Sequence, residues 1–479
     1  MMREQILDIL KNAGVYAWEI TEKRTRGWEF YFIRHALDQN RVKRIYSLVI
    51  KVYQKIGEDK IGSAGAEIPP TASREEAKKL VENLAYQATL APNKLYTLRK
   101  PTEAHATHRD EGRVDVPAVA GNFLRTLKAL PETATEDLNS YEIFASAVTS
   151  RYLNSEGVDV TETYPASMAE VIVNARKEGR EIELYRMYKS GTCDAAGLAR
   201  DLKKTMAYGR DRLLAKPTPA LGKADLILSG EDAVEVFRYF ADRLNPAMIC
   251  RRMSDWAIGK PIAEDVKGDR VTLMALRELP NSSTNRAFDD EGSPIRDTVM
   301  LRDNVPEHFL GGRMFSCYMG LEDSFQPGNY AVSGGSQSEK ELRQGQYLEA
   351  VEFSGFQVDS MTGDIFGEIR LAYWHDGEAV TPVTGGSVSG NLRDLLGELW
   401  LSRETVQYDN WSIPAVTRRS RATSCDHAVL CQLGIHVCIL CNCICCNALQ
   451  FAHVLQYLIL LLAFEGIQDS AHTAADFAG

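Results

Sequence analysis

The sequence predicts an α+β protein, with an N-terminal antiparallel sheet carrying packed helices and a C-terminal half that is mostly β with glycine-rich turns. Three observations lead there. Runs rich in aromatic and β-branched residues open the chain, amphipathic stretches with helix caps interrupt them, and after a proline-containing linker the helical signal gives way to short strands separated by glycine. The 479 residues are 44% hydrophobic and 25% charged, enough to bury a large core in two or three domains. A net charge of −10 without any long basic run argues against direct binding of nucleic acid. The opening residues, MMREQILDILKNAG, hold an apolar stretch too short and too interrupted by charge for a signal-peptide core, so a cytoplasmic location is expected.

Residues 3–13 form a short helix with Ile6, Leu7 and Leu10 on one side, and YAWEITEK, GWEFYFI and RIYSLVIKVYQKIG read as strands of a meander. TASREEAKKLVENLAYQATLAP carries a capping box, Ser73 with Glu76, and spaces Ala77, Leu80, Val81, Leu84, Ala85 and Ala88 as one helical face laid on the sheet. The polar stretch that follows contains HATHRDEG, where His105 and His108 lie near Asp110 and Glu111. Without apolar framing this reads as a solvated loop in preference to a metal site. From Tyr141 the chain returns to extended segments, turned at Asn154-Ser155-Glu156-Gly157 and at Glu178-Gly179. A helix then starts at the N-cap Asp194 and ends before KPTPALGK. The expected organisation is an N-terminal α/β domain over 1–215, a linker over 216–223, a β-rich domain over 224–416 and an atypical tail over 417–479.

The second half begins with a strand, ADLILS, and a helix, GEDAVEVFRYFADRLNP, with Ala233, Phe237, Phe240, Ala241 and Leu244 on one face. Asp376-Gly377 marks a tight hairpin. No Lys follows the glycines of TGGSVSGNLRDLLGELW, so this is not a P-loop, and neither Ser387 nor Ser389 sits in G-x-S-x-G. The stretch FDDEGSP sets Asp289, Asp290 and Glu291 side by side ahead of Gly292. Neighbours on a strand point to opposite faces, so these carboxylates reach one ion only if a turn bends them inward. They read as the acidic entry to a turn, with a free-standing metal-dependent hydrolase kept as the alternative, and a non-enzymatic binding or scaffold protein as a third reading.

The tail is a different kind of sequence. Cys425, Cys431, Cys438, Cys441, Cys443, Cys445 and Cys446 crowd together, and no Lys or Arg follows Arg421. The cysteines are too bunched for the two separated pairs of a zinc site, and the unbroken apolar core from Tyr457 to Phe464 is far short of a membrane span. An out-of-frame translation from about Val416 explains the compositional break and implies that a closing strand is lost.

As a set and in order, YLNSEG, the linker leading into ADLILS, FDDEGSP, TGDIFGEIRLAYWHDGEAVTPV and SGNLRDLL resemble the TldD/PmbA family, more closely its PmbA (TldE) branch than its TldD branch. The likeness runs to about residue 416. It implies a cytoplasmic peptidase system in which a zinc-bearing TldD-like chain pairs with a TldE-like chain, or the chain pairs with itself, and cuts unfolded or leader peptides inside a chamber.

In the TldD branch the helix after this strand bears H-E-x-x-x-H, two imidazoles about one turn apart beside a glutamate that activates metal-bound water. Here that helix has no histidine. Glu235 and Asp242 are seven residues apart, and the only histidines of the second domain, His308 and His375, offer no paired ligand. Cys317 reads as a small buried hydrophobe. No catalytic, metal-binding or cofactor-binding residue is therefore assigned in this chain, and zinc is expected in a TldD-like partner.

Overall fold

The computed structural model describes residues 2–110, 112–130, 132–219, 225–419 and 436–438. The tail cysteines lie outside the described residues, apart from Cys438 at the end of a three-residue strand.

The chain opens with α1 (Met2–Asn12), then β1 (Ala17–Ile33), β2 (Ala36–Ile56) and β3 (Lys60–Glu67). YAWEITEK and GWEFYFI are one strand. The polar residues between them pair on both sides, Arg24 with Tyr46 and Thr149 and Gly27 with Lys43 and Ser146, so a chemical interruption is not a conformational one. After α2 (Arg74–Ala88) and α3 (Val116–Lys128) come β4 (Glu136–Asn154), β5 (Asp159–Lys177) and β6 (Arg180–Ser190), and then α4 (Ala195–Leu214). The expected caps are present: Ser73 and Glu76 close a capping box on α2, and Asp194 accepts from Gly197 N at the start of α4.

These strands form a seven-stranded antiparallel sheet in the order Asn93–Lys94, β3, β2, β1, β4, β5, β6. Its apolar residues alternate to one side, where the helices lie. Ile20, Leu48 and Ile50 pack under α1 and α2 through Ile6, Leu10, Val81 and Leu84. Further along the same face, Phe32, Tyr141, Ile143 and Val171 pack under α3 and α4 through Phe123, Leu127, Leu202 and Met206.

The second half has two sheets. β7 (Asp225–Ser229) lies between β11 (Tyr347–Val358) and β16 (Val416–Arg419) in the larger, which continues through β12 (Asp364–His375) to β13 (Val380–Thr384), with β14 (Ser387–Asn391) also on β12. β8 (Leu273–Leu276), β9 (Thr298–Arg302), β10 (Asn329–Val332) and β15 (Trp411–Pro414) lie in a six-stranded sheet. One continuous core, from Leu228 through Leu273 and Ile369 to Ile413, joins both sheets around α5 (Val234–Arg243). The strand whose loss the tail suggests is in place as β16. No helix among the described residues is long and apolar enough to cross a membrane.

Candidate functional site: a cleft above a strand–helix turn

β7 ends at Ser229, and Gly230 takes φ +93°, a left-handed conformation that L side chains rarely adopt. A single 3-10 turn, Glu231–Ala233, then leads into α5. Above this turn opens a cleft of about 460 Å³, walled on one side by Lys204 and Tyr208 of α4 and on the other by Arg343, Glu349, Tyr373 and Tyr408. Arg343 bridges Glu349 and Glu339, and the Ser229 hydroxyl donates to Glu349 at 2.6 Å. Burial works to raise the Glu349 carboxyl, but Arg343 and Ser229 outweigh it and hold it below the usual carboxylate range.

At the start of α5, burial instead pushes the Asp232 carboxyl up to about 6, against the pull of Arg186. Glu352 on β11 is also raised, chiefly by burial, although Arg186 of β6 forms an ion pair with it across the two halves of the chain. The cleft wall therefore holds one carboxylate kept ionised, Glu349, beside the fixed cations Arg343 and Lys204, while the two carboxyls of raised proton affinity, Asp232 and Glu352, lie close along the chain to its lining residues and outside the wall itself. Such a wall can orient a polar chain through its ion pair and hydroxyls.

α5 itself is buried on nearly every side, beyond the single face that periodicity suggests. Val234, Val236, Phe237, Tyr239, Phe240, Ala241 and Arg243 all face core, and Arg238 alone is exposed. Tyr239 and Phe240 pack with Trp256 at ring-centroid distances of 6.0 and 5.9 Å. Glu235 is engaged by Arg238 at 3.0 Å, and Asp242 accepts from the Ser360 hydroxyl at 2.6 Å. Two carboxylates already partnered and separated by aromatic core do not fit a zinc ion, which favours imidazole and thiolate donors in a tetrahedron.

The remaining residues singled out in the sequence are dispersed. His308 Nδ1 bonds Val299 O at 2.8 Å on the surface, and His375 stacks on Tyr347 with centroids 4.0 Å apart. Cys317 is half-buried, not enclosed, and packs beside Tyr96 and Leu98 of the first half. Ser387 and Ser389 are paired within β14 against Glu368 and Phe366 of β12.

FDDEG is a turn, and it is also the joint between the two halves. Asp289 is buried, with Oδ1 accepting from Glu291 N and Ser293 N and Oδ2 from Gln326 N. Burial nevertheless pushes its carboxyl up to about 6. Asp290 pairs with Arg286 at 2.8 Å and Lys23 at 3.6 Å, while Glu291 accepts from Arg313 N and Gln326 Nε2. The three carboxylates diverge to three sets of donors. Gly292 has φ +74°, and a Cβ there would meet the Tyr152 ring at 2.6 Å.

The histidine stretch is not the solvated loop expected from its polarity: His105 lies in a five-residue helix, Glu103–Thr107, that packs on the joint. His105 and His108 enclose Phe288, stacked and edge-on, each with ring centroids 5.0 Å from it. His105 Nδ1 accepts from Thr102 N, which leaves Nε2–H to donate to Gly292 O at 2.7 Å. Glu162 of β5 accepts from Arg286 Nε and Ala287 N at 2.7 and 2.9 Å. Spacing along the chain carries no trace of this clasp, because its two sides are about 180 residues apart.

Two sheets around an enclosed strand–helix unit, clasped to a helix-backed antiparallel sheet, define a PmbA/TldD-type chain. Residues 221–421 match the PmbA/TldA metallopeptidase C-terminal domain. The fold matches TldE from Thermococcus kodakarensis with a TM-score of 0.69 at 16% identity, over 87% of this chain and 98% of that one. A DNA gyrase modulator candidate from Thermotoga maritima gives 0.70 at 17% identity over the same shares. Metalloprotease PmbA of Escherichia coli is 23% identical over 193 residues, 39% of this chain and 41% of its own length. An uncharacterised protein of Methanocaldococcus jannaschii is 21% identical over 267 residues, 52% of this chain and 60% of its own. The matched stretches thus span about half the length of these curated relatives. Residues 221–421 thus carry the C-terminal domain of the TldD/PmbA family, and the fold of the chain is of the TldD/TldE type.

Proposed function

We propose that this chain is a PmbA/TldE-like subunit of a TldD/TldE-type metallopeptidase system acting on unfolded or leader peptides in the cytoplasm, with the zinc carried by a TldD-like partner. One observation supports this most: the helix that bears the metal motif in the TldD branch is here filled by Phe237, Tyr239 and Phe240 and enclosed in core. The cleft above it would hold a peptide by its main chain, using Ser229, Tyr373 and the Arg343–Glu349 pair as polar walls.

Co-expression with a TldD-like chain, followed by affinity capture and metal analysis, tests the reading. The expected result is a stable complex whose zinc and peptidase activity depend on the partner's histidines. The reading fails if the purified chain alone binds stoichiometric zinc and hydrolyses an unfolded peptide in a chelator-sensitive reaction.

A further inference from the structure

A second cavity, of about 560 Å³, lies between the two halves beside the FDDEG joint, far from any role in the cleft described above. Its walls combine two kinds of surface. Phe288, Pro294 and Ile295 supply an apolar side, and Arg99, Arg277 and Arg296 supply cations.

Arg99 is the telling residue. It is only 8% exposed, and its guanidinium donates to the Ser293 hydroxyl at 3.1 Å and to the carbonyls of Glu322 and Ser324. All of these acceptors are neutral, and among the described residues no carboxylate pairs with it directly, Asp289 and Glu322 acting on it only at longer range. A buried charge without a directly paired counter-ion is costly, and a guanidinium fork is suited to an incoming carboxylate. The other two arginines are weakly compensated at the surface: Arg296 faces Asp323 at 3.1 Å and Arg277 faces Glu278 at 3.6 Å, with both carboxylates largely exposed. Among the described residues Glu103 and Asp323 are the only acidic side chains on the wall, so these residues give it a cationic excess.

We propose that this cavity is a binding site for a small organic anion, a carboxylate carried on an apolar body, of the kind presented by the C-terminus of a short peptide. The carboxylate sits among the three arginines and displaces water there, while the apolar body lies against Phe288 and Ile295. A volume of this size admits a ligand of a few residues. The site does not depend on the role of the α5 helix, so it stands or falls separately from the proposed function.

Calorimetric titration of the whole chain with acetyl-Ala-Leu-Phe tests it, using the free acid, the C-terminal amide and inorganic phosphate as three arms. The free acid is expected to saturate one site, more weakly at high salt, with the amide and phosphate each weaker by about tenfold or more. Arg277→Gln with Arg296→Gln should lower affinity for the free acid by about tenfold and leave the unfolding midpoint in place, since both side chains are half exposed. If that double variant fails to fold, each single variant reads a smaller loss of the same sign. Equal binding of acid and amide, phosphate binding as tight as the acid, no saturation at millimolar peptide, or unchanged affinity in the variants would overturn the proposal.

Discussion

Two acidic clusters in this molecule, one written as consecutive residues and one assembled only by the fold, differ in what surrounds them. In the FDDEG turn, the three carboxylates are shared out among backbone amides, Arg286, Lys23 and Gln326, each pointing to its own donors. At the strand–helix turn, Asp232 and Glu352 are raised by burial, which the distant-strand cation Arg186 offsets most. Burial raises a carboxyl in both places, Asp289 in the turn and Asp232 at the strand–helix junction. The difference lies in the donors: Asp289 is held by three backbone amides, whereas Glu352 depends chiefly on a side-chain ion pair from the other half of the chain.

The comparison can be broken hardest at Gly292. Gly292→Ala adds a left-handed strain and a contact with Tyr152, and should cost about 3 kcal/mol in denaturant unfolding. Arg186→Met removes the cation from Glu352, and discounting for partial exposure should cost about 2–3 kcal/mol, recovered in part by a second change, Glu352→Gln. Asp289→Asn turns an amide NH2 towards Gln326 N or one of the two amides on Oδ1, and should cost about 1–3 kcal/mol.

Asp289 also sharpens the contrast through pH. Its folded carboxyl is raised to about 6 from 3.8, so between those values the folded protein binds more protons than the unfolded chain. Stability from this group is therefore full below about pH 4 and declines as pH rises through 6, by roughly 2 kcal/mol. Melting curves across pH 4.5–6.5 should fall more steeply for the natural protein than for Asp289→Asn, and parallel curves would refute the assignment. The smallest effect is expected at Asp290, where Asp290→Asn loses only a surface pair and should change stability by less than about 1 kcal/mol.

Much of the fold was legible because its signals are local. The capping box at Ser73 and Glu76, the N-cap at Asp194 and the turns after Asn154 and Glu178 are each written within four residues, and the structure places them as read. The join of YAWEITEK to GWEFYFI was not legible, since RTRG looks like a break until strands on both sides pair with it. The enclosure of α5 was half legible: Phe237 and Phe240 mark one face, but Tyr239 and Arg243 are buried only because Trp256 and Asp255 come back over them. The clasp of His105 and His108 on Phe288, the reach of Arg99 and the Arg186–Glu352 pair join residues too distant for any periodicity to connect. A lone arginine in a sequence says nothing about which carboxylate, if any, will meet it.

β16 sets the shortest length at which the second half can stand. It is not a fringe strand: it fills the place between β7 and Leu399–Leu401, and Arg418 reaches across to Asp225 and to the carbonyls of Leu342 and Gln344. Cutting the gene after Val416 would open the larger sheet along β7, beside the strand that leads into the cleft, whereas cutting after Arg419 would leave every rung of that ladder in place. For anyone shortening this chain for expression, three residues separate a sheet whose edge strand, Leu399–Leu401, has lost its partner from an intact one.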